Sequence, residues 1–313
     1  MIGNRRRNFT TKFNNGHHWQ SRVWLIVPLL LIISLLIYGL FSGIIQSLGW
    51  VPAFQMRDLS LKYLWEMIHD KRFLKALGYS MKISAISSTL SVLIGLMVCY
   101  VILLLSDRDQ QTILRYMRIP IIIPHVIVSM FMIQLFSRTG IFSRISHYVG
   151  MDNAMAFWGK WVFDRDGRGV ILAYLWKGIP FVIFTCLPIM SRISDRLGQA
   201  ARVLGANNFQ SFWHITMPLC WHVILVDHMI LMLFALGAYD LPKILGATFP
   251  KALPILAYEA YIHPDLTRRP YAMAMNALIF IIGLVMLCLY GLLLKSLRQE
   301  KRRRDDDETS KVP

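Results

Sequence analysis

The sequence predicts an all-α, polytopic membrane protein with six transmembrane helices. Hydrophobic residues make up 55% of the 313-residue chain, and the mean hydropathy is +0.47, a composition that ordinary soluble domains do not have. Apolar runs of about 20 residues are long enough to cross roughly 30 Å of hydrocarbon. Such runs lie near 23–47, 79–105, 119–137, 169–190, 219–241 and 271–294. Because charged residues are scarce in these runs, we expect each of them to form one membrane span, with Pro120 and Pro124 bending or breaking the start of the third.

The net charge of +16 fits membrane orientation better than it fits nucleic-acid binding. The Lys and Arg residues lie in segments that flank the apolar runs, and over the loops their bias to one side is mild. The amino-terminal tail is the clearest signal because it holds Arg5, Arg6, Arg7, Lys12 and Arg22 without an acidic residue. The positive-inside rule places such a tail in the cytoplasm. Six spans then return the carboxyl terminus to the cytoplasmic side.

Composition divides the chain into five segments. Polar residues predict a disordered, basic cytoplasmic tail at the amino end, and adjacent blocks of opposite charge predict a solvated tail at the carboxyl end. Apolar residues at helical intervals after the first run predict an amphipathic helix on the outer side. The segments are the basic tail at 1–22, the first membrane helix at 23–47, the external segment at 48–77, a core of five spans at 78–294 and the charged cytoplasmic tail at 295–313.

The most distinctive loop lies at 191–217, between the fourth and fifth apolar runs. Good helix formers precede Gly205, and glycine readily takes the positive φ that ends a helix. Asn207 and Asn208 are of the type that caps the next helix. The loop is therefore predicted to form two short helices joined at Gly205.

Three aromatic residues of the second short helix, Phe209, Phe212 and Trp213, follow a turn-like spacing. An apolar stripe in a loop is unusual unless another surface covers it. A partner protein is the natural cover. The alternative is a helical hairpin that lies on the lipid surface.

The pattern of this loop resembles the coupling loop of ABC importer permeases. That family has Glu-Ala-Ala, a Gly after three further residues, and an Ile/Val-x-Leu-Pro ending. The chain keeps Ala200, Ala201, Gly205, Ala206, Ile215 and Pro218. It departs from the pattern at Gln199, where Glu is usual, and at Met217, where Leu is usual. The resemblance covers roughly 59–294 and includes a Trp-x-Gly-x-Pro-Phe landmark at 176–181.

The resemblance implies a permease subunit with an importer-permease core of the MetI-like type, in the bacterial cytoplasmic membrane, with both termini in the cytoplasm. Such a subunit forms half of a translocation pathway and works by alternating access. The implied partners are ABC ATPase subunits, a second permease that is identical or homologous, an extracytoplasmic solute-binding protein and the lipid bilayer, with no nucleic acid.

The residues that the resemblance assigns to ATPase coupling lie in the loop at 191–217. They are Gln199, Ala200, Ala201, Gly205, Ala206, Asn207, Phe209, Phe212 and Pro218. Three further segments, at 237–242, 253–258 and 269–274, resemble the permeases of polyamine-type importers. A polyamine or another small organic solute is therefore the expected cargo.

The sequence contains no catalytic or metal-binding pattern of its own. It lacks the Gly-x-x-x-x-Gly-Lys-Ser/Thr loop that holds ATP phosphates and the Gly-x-Ser-x-Gly elbow of hydrolases. His214, His222 and His228 are not spaced by the four residues that stack two imidazoles on one helical face. We therefore expect no enzyme activity, no metal site and no cofactor in this chain, with ATP and Mg²⁺ bound by a partner subunit.

Three ionisable residues in or near spans are candidates for the pathway: Lys177, Asp227 and Asp240. A charge inside the bilayer is costly enough to indicate function by default. The alternative for each is an internal ion pair that only positions helices. Two other classes of function stay open at this stage, an ion-coupled secondary transporter with Asp227 and His228 as a proton relay, and a membrane scaffold without transport activity.

Overall fold

The structure is a computed structural model that describes the backbone of residues 17–309 and the side chains of residues 26–296 and of Gln299. Within this part the regular secondary structure is helical apart from one isolated bridge between Val51 and Met56. The α-helices are α1 His17–Ser47, α2 Lys62–His69, α3 Lys71–Leu103, α4 Asp107–Met117, α5 Ile119–Ile122, α6 His125–Phe136, α7 Ile141–Tyr148, α8 Ala154–Trp158, α9 Arg168–Ile193, α10 Gln199–Val203, α11 Asn208–Ser211, α12 Met217–Gly237, α13 Asp240–Leu245, α14 Leu253–Tyr261 and α15 Arg269–Thr309.

Six helical stretches of the described chain are long and apolar enough to span a membrane. They are Ile26–Ser47, Lys71–Leu103, His125–Tyr148, Arg168–Val203, Asn208–Gly237 and Leu266–Ser296. The all-α class with six membrane helices is thereby confirmed.

Several predicted boundaries were wrong. The first helix begins at His17, inside the segment 1–22 predicted to be disordered; residues 1–16 lie outside the described part. The second span begins at Lys71 rather than near 79, because the Asp70 side chain caps it by accepting a hydrogen bond from the Arg72 amide at 2.8 Å.

At the carboxyl end, α15 continues through most of the tail predicted at 295–313 and ends at Thr309, while residues 310–313 lie outside the described part. Lys, Arg, Gln and Glu make up eight of the ten tail residues from 295 to 304. These residues are good helix formers and can extend a membrane helix into water. A charged composition alone therefore did not stop the helix.

The third span is broken near its start, as Pro120 and Pro124 predict, and it extends beyond the run predicted at 119–137. Pro120 and Pro124 separate the one-turn helix α5 from α6, since proline lacks the amide that continues a helix and disfavours helical geometry in the residue before it. At 12 residues, α6 is about 18 Å long and too short to cross alone. The apolar stretch is completed by α7, and the span runs from His125 to Tyr148.

The centre of the bundle is formed by α3 and α9, with α12 packed against both. Small residues let α3 and α9 approach closely: a Cβ added at Gly95 would lie 2.8 Å from the Val182 side chain, and one added at Gly178 would overlap Ser91. In contrast, the most apolar window of α1 has no buried residue within this chain. The core that positions the sites described below is thus made by α3, α9 and α12.

Candidate functional site

The loop between the fourth and fifth spans forms a tight helical hairpin, as predicted. The helix α10 ends at Val203, and the chain turns at Gly205, which has φ +97°. The Gly205 amide donates to the Arg202 carbonyl at 3.0 Å and the Ala206 amide donates to the Ala201 carbonyl at 3.0 Å, the two bonds that define a Schellman motif. We call residues 199–213 the loop hairpin.

The second arm of the loop hairpin begins with a reciprocal cap. Asn207 Oδ1 accepts from the Gln210 amide at 2.7 Å, and Gln210 Oε1 accepts from the Asn207 amide at 3.0 Å. The prediction of Asn207 as a cap is confirmed. Asn208 is the first residue of α11 instead, and its side chain accepts a hydrogen bond from Arg202 at 3.1 Å, which ties the two arms together.

Both arms of the loop hairpin continue into membrane helices through π-helical turns. These turns, Ser194–Gly198 and Phe212–Thr216, connect α9 to α10 and α11 to α12. They meet where the Ser211 hydroxyl donates to the Gly198 carbonyl at 3.4 Å. The predicted interruption at 191–217 is therefore the joined ends of two long helical stretches, and such π-helical turns are frequent at functional sites.

The predicted aromatic stripe is only partly exposed. Phe212 is 7% exposed and packs inside this chain with its ring centroid 5.0 Å from that of Tyr100, so its placement on a partner-facing stripe was wrong. Phe209 and Trp213 remain 58% and 52% exposed, and their rings are nearly parallel at 6.3 Å.

Sequence reasoning missed two residues at the tip of the loop hairpin, Val203 and Leu204, which are 87% and 88% exposed. The sequence did contain a signal for these two residues, because two apolar residues directly before a turn glycine must project from the tip of the loop hairpin.

The remaining residues assigned to coupling also lie on the loop hairpin or at the start of α12. Gln199, Ala200, Gly205, Asn207 and Pro218 are exposed, and Ala201 and Ala206 are half-buried.

The three charged candidates for the pathway are not brought together. Lys177 is half-buried, and its Nζ donates to the Ile123 carbonyl at 2.6 Å. Asp227 is 2% exposed between α12 and α9, where it accepts hydrogen bonds from Thr185 Oγ1 and, at 3.2 Å, from Cys186 Sγ. Asp240 is exposed at the start of α13. Within the described chain, none of the three forms an ion pair with another.

Asp227 and His228 face different helices. The ring of His228 contacts the Ser88 and Thr89 hydroxyls of α3, at 3.3 and 3.1 Å, and the Tyr290 hydroxyl of α15. Neighbouring side chains on a helix point about 100° apart. Asp227 therefore faces away from the contacts of His228 and is held by α9. Among the described residues the two side chains share no hydrogen-bond partner, and His228 bridges three spans.

A cavity of about 270 Å³ opens beside Lys177, between helices of the candidate membrane spans. It is bounded by α3, the broken third span, α9 and α12. The lining residues are Ser87, Ser88, Ser91, Ile121, His125, Tyr174, Lys177, Gly178, Phe181, Ile230, Leu231, Phe234 and Ala235. Of the three charged candidates, only Lys177 lines this cavity.

A second lysine in a span, Lys82, forms an ion pair and can be compared with Lys177. Its Nζ lies 3.1 Å from Asp166 Oδ1, and both side chains are exposed. The hydrogen bond from Lys82 holds the pKa of Asp166 below its usual value. Lys177 has no such carboxylate partner among the described residues.

The described residues show no group of three His, Cys, Asp or Glu side chains placed to hold a metal ion. What the loop hairpin and the cavity offer is an exposed surface at one end of two helices and a small, largely apolar chamber that contains one lysine. This arrangement suits a membrane transport subunit.

Comparison with known proteins assigns the family. Residues 91–299 match the family described as "Binding-protein-dependent transport system inner membrane component", and the chain belongs to this family. It is thus a multi-pass permease component of an ABC importer, and the members of this family are transporters rather than enzymes.

Individual relatives are distant but cover most of the chain. The "Probable ABC transporter permease protein YurN" of Bacillus subtilis is 26% identical over 275 residues, which is 83% of this chain and 91% of the relative. The "Probable sulfate transport system permease protein cysT" of Prototheca wickerhamii is 23% identical over 245 residues, which is 76% and 91% of the two chains.

A solved structure has the same fold. One chain of a bacterial alginate ABC transporter, in complex with an alginate pentasaccharide-bound periplasmic protein, superposes with a TM-score of 0.72 at 17% identity. The match covers 88% of this chain and 93% of the other.

Proposed function

We propose that this chain forms half of the translocation pathway of a bacterial importer and couples to a separate ATPase through the loop hairpin. In this proposal the hairpin and both chain ends lie in the cytoplasm. A second permease completes the pathway, a solute-binding protein delivers cargo at the outer face, and ATP and Mg²⁺ are bound by the ATPase.

The observation that carries the proposal is the exposed apolar surface of the loop hairpin. Val203 and Leu204 project from its tip, and Phe209 and Trp213 form an exposed pair on its second arm. Apolar residues clustered on an ordered polar loop mark an interaction site. Because the hairpin continues into the helical stretches 168–203 and 208–237, a partner that moves it also moves two membrane helices.

The cargo is proposed to be anionic. Neither of the two relatives named above is described as a polyamine transporter, and one of them is described as a sulfate permease. A sulfate-like oxyanion is therefore the first candidate, in place of the polyamine expected from sequence.

Cross-linking tests the docking. With native Cys288, the exposed cysteine of the described chain, replaced by serine, Ala206→Cys and Asn207→Cys should each cross-link to the co-purified ATPase. Tyr148→Cys is the matched control, because it is 93% exposed but lies on the predicted outer side. Cross-linking of the ATPase at position 148, or at neither hairpin position, would contradict the proposed docking and orientation.

A further inference from the structure

The cavity beside Lys177 has a positive charge and no negative one. Lys177 can donate three hydrogen bonds, and one is used on the Ile123 carbonyl. No Asp or Glu is among the residues that line the cavity; the exposed carboxylate of Asp240 lies outside the lining, although it acts electrostatically on His125 and Tyr174. A half-buried cation without a counter-charge is unfavourable at membrane depth, so an anion entering the cavity would relieve this cost.

One hydrogen-bond donor without a partner and a second hydroxyl group border the same space. The Tyr174 hydroxyl is buried and has no hydrogen-bond partner in the described chain, although buried hydroxyl groups are normally paired. Ser91, on the facing helix α3, is 1% exposed and also lines the cavity. Two hydroxyl groups from α9 and α3 are thus available to a ligand at the cavity.

The start of α6 adds to this polarity. His125, its first residue, lines the cavity, and Pro124 provides no side-chain cap. The positive end of the dipole of this 12-residue helix therefore lies at the cavity wall, where it favours negative charge. The rest of the wall is largely apolar, including Phe181, Ile230 and Phe234, and low-dielectric walls strengthen the field of the charges that remain.

We propose that this cavity binds an anionic oxygen group of the transported solute, with Lys177 as the counter-charge and the Tyr174 and Ser91 hydroxyl groups as hydrogen-bond donors. The inference rests on the permease role proposed above and deepens it by placing a cargo site in this chain. A polyamine is cationic and would be repelled by the positive charge of Lys177 in this cavity. Of the two carboxylates considered for the pathway, Asp227 is turned toward α9 and Asp240 is not part of the lining.

The size of the cavity admits two sources of the anionic group. A volume of about 270 Å³ is several times the roughly 30 Å³ that one water occupies in the liquid. It holds a free inorganic oxyanion with a few waters, or the carboxylate end of a larger acidic sugar. The shared chemistry is a small group of negatively charged oxygens, and the experiment separates the two sources.

The test uses the complex purified through a tag on this chain and reconstituted in lipid nanodiscs without the binding protein, so that retained ligand reports on the membrane subunits. The probes are radiolabelled sulfate, a radiolabelled uronate trisaccharide and radiolabelled spermidine. We expect one of the two anions to be retained and spermidine not to be retained. Whichever anion is retained identifies the source.

Variants then locate the site. Lys177→Met should weaken retention of that anion at least about tenfold, the effect of losing a hydrogen bond to a charged group, whereas Lys177→Arg should stay within about threefold of wild type because its charge and donors remain. Tyr174→Phe should weaken retention about threefold to tenfold. Lys82→Met is the matched control and should leave retention unchanged, because Lys82 pairs with Asp166 away from the cavity.

Three outcomes would overturn the inference: retention of spermidine, equal anion retention in Lys177→Met and wild type, and retention of no probe by wild type. The ATPase that co-purifies with the tagged chain is scored in the same preparations. If the ATPase co-purifies but the anion is not retained as expected, the proposed permease role is kept and only the proposed cargo site is rejected. If no ATPase co-purifies, the proposed coupling fails independently of the anion result.

Discussion

The loop hairpin and the membrane cavity share the helical stretches 168–203 and 208–237 but are built in different ways. The hairpin is specified by neighbours in sequence: Gly205 turns the chain, and Asn207 with Gln210 starts the second arm. The cavity is assembled from four separate parts of the chain, and its width depends on how closely α3 approaches α9. The hairpin should therefore be sensitive to backbone conformation, and the cavity to the volume of residues at helix contacts.

The largest expected effect is on the helix contact beside the cavity. A Cβ added at Gly178 would overlap the Ser91 hydroxyl and lie 2.9 Å from its Cβ. Gly178→Val should therefore force α3 and α9 apart and destabilise the bundle by about 3 kcal/mol, measured as a lower unfolding temperature of the solubilised complex. Gly237→Val is the matched control, since an added Cβ there meets nothing within 4 Å. Equal stability of the two variants would show that the close approach of α3 and α9 is not important for stability.

Gly205→Val should have the next largest effect, on coupling rather than on folding. An added Cβ meets no atom within 4 Å, but φ is +97°, a conformation that is strained for a β-branched residue. We expect normal insertion but a loss of co-purified ATPase and a fall in uptake of more than about tenfold, equivalent to roughly 1.4 kcal/mol.

Gly205→Asn provides the control, because asparagine tolerates positive φ and should retain most of the uptake. Wild-type transport by Gly205→Val, with the ATPase still attached, would make the hairpin a passive connector.

The smallest effect is expected at Gln199, which is exposed on the first arm of the hairpin. Gln199→Glu restores the residue usual in the resembled loop and adds a charge that can bond to a partner arginine. Because the shape of the hairpin is fixed elsewhere, uptake should stay within about threefold of wild type. A tenfold loss would show that the ATPase surface has adapted to the neutral amide.

The same contrast explains what the sequence could predict. The six spans, the turn at Gly205 and the cap at Asn207 all follow from periodicity or from local backbone chemistry, and the structure confirms them. The cavity could not be predicted, because hydropathy does not show which faces of distant helices meet. Lys177 and Asp227 looked alike in sequence, yet one lines the cavity and the other is held against α9.

Side-chain burial in the hairpin was also beyond prediction. Phe209, Phe212 and Trp213 share one spacing pattern, but Tyr100 of α3 covers Phe212 and leaves much of Phe209 and Trp213 exposed. The third span could be predicted only in part from the sequence. Its prolines indicated a break, but nothing in the sequence indicated that α7 completes the span.

The first helix, α1, has a consequence for how the protein is made. Its apolar window has a mean hydropathy of 2.4 and buries no residue against the rest of the chain, so it can enter lipid as soon as it is synthesised. In contrast, α3 buries Ser80, Ser84, Ser87, Ser88 and Ser91 and reaches its final packing only when α9 and α12 have followed. Biogenesis therefore separates into an early anchoring step and a late assembly step, and the anchor restricts the later helices to a search within the plane of the membrane.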